Sequence, residues 1–137
     1  MAQYVGWDDS WLFLDYSSGT DIDGIAVADE ATLTSDELSL DGYLSAEIGV
    51  ASVEDNTGAC DGDVYVYILG YGATGWETIT DNPHVGAVLD QAQNTTRYKR
   101  FPISASAYSS FKILIDNDCG QEVAISIKYK RSQIGST

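Results

Sequence analysis

The sequence predicts an all-β protein, an antiparallel β-sandwich of jelly-roll-like character with seven or eight strands and an irregular N-terminal segment. Three observations predict it. Apolar residues recur with a period of two. Turn signals separate those runs, at "DG" 41, "DNTG" 55, "DG" 61, "GATG" 72, "DNP" 81 and "DNDCG" 116. Helix signals are sparse: "VADEATLTSDEL" holds at most a turn or two, and "SASAYSSF" reads as a small-residue crossover.

The elements follow in order. The first 35 residues are less regular and set Tyr4, Trp7, Trp11, Phe13 and Tyr16 among acids, as an arm or an edge hairpin does. "YLSAEIGVASV" places Leu44, Ala46, Ile48 and Val50 on one face. "DVYVYILGY" is apolar on both sides, the pattern of a central strand covered on each face or of a strand at a subunit interface. "SFKILID" alternates Phe111, Ile113 and Ile115 against Lys112 and Leu114. "EVAISIKYK" points Val123, Ile125, Ile127 and Tyr129 inward, with Ala124, Ser126, Lys128 and Lys130 outward. These last two strands are expected to pair as a hairpin. The division that results is an N-terminal arm or edge hairpin (1–36), a sandwich body (37–131) and a flexible tail (132–137).

At 137 residues, 44% hydrophobic and 11% aromatic, the chain has the composition of one globular domain rather than of an acidic disordered tail. A net charge of −14 excludes a nucleic-acid partner, which needs a basic surface, and disfavours anionic lipid. No apolar run reaches the length of a membrane span. "MAQYVGWDDSW" lacks the basic and apolar regions of a secretory signal, which points to synthesis in a cytoplasm.

No reaction chemistry stands out, and the chain is expected not to be an enzyme. The sole histidine, His84, lies in the loop "DNPHVGAV", and no GxSxG elbow surrounds any serine. Acid pairs are abundant because the whole N-terminal two-thirds is acidic. "DIDG" at 21–24 and "DNTGACDGD" at 55–63 gather oxygen ligands, yet neither has EF-hand spacing and Asx-Gly turns look the same. No metal site and no cofactor are therefore expected. The sequon at Asn94 matters only in a eukaryotic secretory pathway. Cys60 and Cys119 form no zinc set. They are either reduced thiols or partners in a disulfide formed after the protein leaves the cell.

Charge carries more information. Residues 1–96 hold 18 Asp and Glu and no Lys or Arg, whereas all seven bases fall between Arg97 and Arg131. In "RYKRFPI" a strand points Arg97, Lys99, Phe101 and Ile103 one way and Tyr98 and Arg100 the other. With Lys112, Lys128, Lys130 and Arg131 these bases form a candidate basic face. Two readings stand: lysines that protect exposed edges, or a positive surface that meets carboxylates of a second subunit or a larger partner. Tyr4, Trp7, Trp11 and Phe13 are candidate N-terminal anchors for the same contact.

The runs "LSLDGYLSAEIGVASV", "DVYVYILGY" and "TRYKRFPISASAYSSFKILIDNDCGQEVAISIKYKR" resemble a group of small tailed-bacteriophage virion proteins of the capsid cement, or decoration, type. The shared pattern is an "LDG" turn into an alternating strand, then a "YxSFKxLIxNxxG" step into a final strand ending in bases. That step is Tyr108, Ser110, Phe111, Lys112, Ile113, Leu114, Ile115, Asn117 and Gly120 here. The resemblance spans residues 37–131. It implies a homotrimer on the outer surface of a phage head, with the major capsid protein as partner, clamping neighbouring capsomers. It also allows a late Cys60–Cys119 disulfide, since virions leave the reducing cell. The alternative is a carbohydrate- or receptor-binding sandwich of a phage tail or cell surface, with Trp7, Trp11, Trp76 and the tyrosines stacking on sugars.

Overall fold

Fourteen strands, all paired antiparallel, and no helix are found in the computed structural model, which describes residues 3–54, 62–72, 75–78, 85–90, 95–105 and 109–136. Seven strands have five residues or more: β1 (Gln3–Trp7), β8 (Ser45–Glu54), β9 (Asp63–Gly72), β11 (Val85–Asp90), β12 (Thr95–Ser104), β13 (Ser110–Asn117) and β14 (Val123–Ser136). The short ones are β2 (Leu12–Phe13), β3 (Asp15–Tyr16), β4 (Thr20–Asp21), β5 (Ile25–Val27), β6 (Thr32–Thr34), β7 (Leu38–Ser39) and β10 (Gly75–Trp76). The all-β sandwich expected from the period of two is the fold observed.

Sheet A runs β12–β8–β14, and the free edge of β14 is covered in turn by β5, β2 and β1. Sheet B runs β9–β13, flanked by β10 and β11 on one side and by β6 and β7 on the other. Alternation explains which side of each strand is buried. Ala46, Ile48 and Val50 of β8, Phe101 and Ile103 of β12 and Val123, Ile125 and Ile127 of β14 turn inward. They meet Val64, Val66 and Ile68 of β9 and Phe111, Ile113 and Ile115 of β13 in one core. Leu14, Ile22, Val27, Leu33, Leu38 and Leu40 seal its margin. One position departs from the expected faces: Leu44 precedes its strand and is exposed, whereas Tyr129, half-buried, packs against the core as expected.

Within residues 3–36, β1, β2 and β5 lie along the edge of sheet A and β6 along that of sheet B, while β3 and β4 pair with each other. Residues 132–136, expected as tail, continue β14 and pair with β1. The expected hairpin of the last two strands does not form. β13 pairs with β9 in sheet B while β14 pairs with β8 in sheet A. The turn between them carries the chain across the core, because both strands present an apolar row that must face inward.

Asn117 secures that crossing. Its buried amide donates to the carbonyls of Val27 (2.9 Å) and Gln121 (2.8 Å), and its oxygen accepts from the Cys119 N–H (3.0 Å). Replacing it strands buried backbone groups that have no water to turn to. Asn117→Ala is expected to lower stability by about 2–4 kcal/mol, read from the urea midpoint. A change within about 0.5 kcal/mol, the range of an ordinary surface substitution, contradicts this role.

Candidate functional site: a cation–aromatic cleft on sheet A

The outward positions of three neighbouring strands come together because of register. Lys128 lies opposite Gly49, Lys130 opposite Glu47, and Arg100 opposite Gly49 on the other side of β8. Strand alternation then sends Arg100, Lys128 and Lys130 to the outer face of sheet A. β2 adds its aromatic residues there, since Phe13 pairs with Lys128 at the edge of β14. The Lys128 ammonium stands 4.7 Å from the centre of the Phe13 ring. Lys130 and the Arg100 guanidinium both approach the Trp11 ring, at 5.8 and 5.2 Å. Such contacts attract cation to ring face and keep the charge near the surface.

A cleft of about 380 Å³ opens between these groups. It is lined by Trp11, Phe13 and Tyr98, by Gly49 and Ala51 beneath, and by Asp23, Ser126 and Lys128. Gly49 lets its neighbour lie close: a Cβ there would overlap the Tyr98 hydroxyl and push that ring aside. The Tyr98 ring thus lies over bare backbone and forms a wall of the cleft.

Among the described residues, Arg100 pairs with Glu47 at 3.4 Å on an open surface. Its hydrogen bond with Tyr98, and then the Glu47 charge, raise its affinity for its proton further. Neither Lys128 nor Lys130 has a carboxylate partner among the described residues, although the chain carries 21 acids. Their charges are left for something outside the fold.

The other candidate bases are placed elsewhere. Arg97 and Lys99 share by alternation the side of Phe101 and Ile103, at the exposed end of β12. Lys112 lies on the outer face of sheet B, with its ammonium 4.5 Å from the Trp76 ring centre. Arg131 pairs with Asp8 at 3.7 Å, and its guanidinium packs 4.1 Å from the Tyr43 ring centre. Its N–H also donates to the Asp8 carboxylate, so this residue ties the N-terminal segment to β14. Among the seven bases Lys128 lines the cleft, and Arg100 and Lys130 stand beside it against the Trp11 ring.

Of the aromatic anchors, Trp11 and Phe13 are part of the cleft and Trp7 is 49% exposed beside β14. Tyr4 belongs to β1, opposite Gly135, and its side chain falls outside the described set. Cys119 is buried and its thiol donates to the Gln121 carbonyl at 3.2 Å. Cys60, His84, Asn94 and Tyr108 lie outside the described residues. Among the described residues no group of three His, Cys, Asp or Glu side chains is arranged to hold a metal ion, the "DIDG" acids included.

Beside the cleft stands a feature the sequence did not reveal. Leu14 and Ile22 root a small hairpin on β14: the Leu14 N–H donates to the Ile127 carbonyl and the Ile127 N–H to that of Ile22. Between them β3 and β4 pair only with each other, and the turn residues 17–20 are exposed. Asp15 sits directly opposite Asp21, and the Asp36 carboxylate accepts from the Gly19 N–H at 3.3 Å. The hydrogen bond with Asp21, then burial, then the charges of Asp21 and Asp36 push the Asp15 carboxyl above its ordinary range.

Comparison with known proteins adds the fold. No protein-family model and no curated protein matches the chain. Among solved structures, dimeric latent PorU from Porphyromonas gingivalis superposes with a TM-score of 0.53 and 12% identity, over 97% of this chain and 13% of that one. The enzymatically active domain of tailspike protein 4 from bacteriophage CBA120 gives 0.49 and 12%, over 93% and 17%. The SPBc2 prophage-derived protein YomS gives 0.47 and 6%, over 97% and 96%. The chain spans a small part of the PorU and tailspike chains. What the PorU likeness shows is the β-sandwich alone.

A raised carboxylate pKa has a definite sign in stability. The folded state holds the Asp15 proton more tightly than the unfolded chain, so the associated stabilisation is full below the ordinary aspartate range. It is lost as pH rises through the folded value. Asp15→Asn is therefore expected to melt higher than the parent at neutral pH, with the gap closing on acidification. A gap that stays constant or widens toward acid contradicts the mutual repulsion of Asp15 and Asp21.

Proposed function

We propose that this chain is a non-enzymatic structural virion protein of the capsid cement type, which docks on carboxylate-bearing protein through the outer face of sheet A. One observation carries the reading: Arg100, Lys128 and Lys130 converge on Trp11 and Phe13 in a chain of net charge −14. A protein selected only for solubility has no use for two unpaired lysines held against aromatic rings. A partner carboxylate entering the cleft meets Lys128, with Lys130 beside it against Trp11, while the rings and Tyr98 exclude water and strengthen the attraction. The partners under this reading are the major capsid protein and further copies of the chain, as a homotrimer on the outer surface of the head. Repetition over a shell then multiplies a modest contact into firm attachment.

A second reading draws on the opposite face. Tyr65 and Tyr67 of β9 stack with ring centres 6.5 Å apart, and Tyr71, 54% exposed, meets the Trp76 ring edge-on at 5.2 Å. Such an aromatic strip suits carbohydrate. Under that reading Trp76→Ala removes glycan binding and leaves assembly intact.

The test of the first reading is co-sedimentation with heads of the phage whose genome carries the coding sequence. The parent protein is expected to pellet with the heads, and the Lys128→Glu/Lys130→Glu variant to remain largely in the supernatant. A parent protein that stays in the supernatant, or a variant that pellets equally well, contradicts the reading.

A further inference from the structure

We infer that the occupant of the sheet A cleft is the β3–β4 hairpin of a second copy of this chain. The inference rests on the proposed role of the cleft as a carboxylate acceptor and names its partner.

Each half of the contact lacks an ion-pair partner among the described residues. On the cleft side, Lys128 and Lys130 have no carboxylate partner among the described residues, and their positions are set by Phe13 and Trp11. On the hairpin side, Asp15 and Asp21 face each other across β3–β4 with Asp36 close by. No ion pair neutralises these aspartates among the described residues. Crowding like charges in this way destabilises a hairpin unless a counter-charge arrives. The cleft offers Lys128, with Lys130 beside it, yet none of residues 15–21 lines it. The hairpin cannot turn back into it either, because Leu14 and Ile22 are buried and bonded to the edge of β14.

Shape agrees with charge. The hairpin pairs with neither main sheet and carries an exposed turn, and the cleft is a concavity of about 380 Å³ walled by rings. The cleft's own acid, Asp23, lines it together with Lys128 and forms no ion pair among the described residues. Two chains of charge −14 repel at long range. At physiological ionic strength that repulsion is screened beyond roughly 8 Å, whereas a cation–carboxylate contact inside the cleft is not.

Charge exchange between two variants tests this. Lys128→Glu gives a cleft and a hairpin that are both acidic, and Asp21→Lys gives a hairpin bearing a new cation beside an unchanged cleft. Both positions are exposed, so folding is preserved, and far-ultraviolet circular dichroism verifies it. Multi-angle light scattering over a concentration series is expected to show an oligomer for the parent. Each variant alone should associate more weakly by roughly tenfold or more, and their equimolar mixture should recover the parent's association. If Lys128→Glu weakens association and the mixture does not recover, the hairpin is the wrong occupant while the cleft's role stands. A parent that stays monomeric throughout the series overturns the inference, and head binding is then judged by co-sedimentation alone.

Discussion

The alternation of one strand, β14, organises both the body and the surface of this protein. Its inward residues Val123, Ile125 and Ile127 are sealed in the core. Its outward residues Ser126, Lys128 and Lys130 belong to the cleft face. Its free edge takes β5, β2 and β1 in succession, with the root of the β3–β4 hairpin between the first two. A shift of one residue in the β14–β8 register would drive two lysines into the core, at a desolvation cost that no pairing in this fold offsets. Core packing therefore also fixes where the cations stand.

That coupling accounts for the charge distribution along the chain. The strands that bring bases to the cleft, β12 and β14, are late in the sequence, whereas the hairpin and the loops that surround it come from the acidic N-terminal part. Segregation along the chain becomes segregation in space, with a cationic concavity rooted beside an anionic projection on one edge of sheet A. Within a single chain the two do not meet. Two bases act within the fold: Arg100 pairs with Glu47, and Arg131 pairs with Asp8 and contacts Tyr43.

Much of the body was legible in the sequence, because the period of two marks a buried strand directly. The inward rows of β8, β13 and β14 follow from it, as does the outward placement of Lys128 and Lys130. The N-terminal elements were not legible. Strands of two or three residues show no period, and β2 depends on an edge supplied more than a hundred residues later. The cleft was half legible. Bases and aromatic residues were recognisable by type, but a single basic face requires knowing which strands are neighbours. Lys112 lies in the other sheet, and Arg97 and Lys99 alternate to the side of Phe101. The role of Gly49 as the floor beneath Tyr98 is a cross-strand relation that no local pattern records.

The central claim is that β14 cations stand over the rings of Trp11 and Phe13 on the outer face of sheet A. Side-chain proton NMR tests it directly, since a ring face shifts nearby protons upfield. The account predicts upfield-shifted Hε resonances for both Lys128 and Lys130, with Trp11→Leu removing the shift of Lys130 and sparing that of Lys128 above Phe13. Ordinary, unshifted lysine resonances at both positions in the parent protein would contradict the cleft and everything assigned to it.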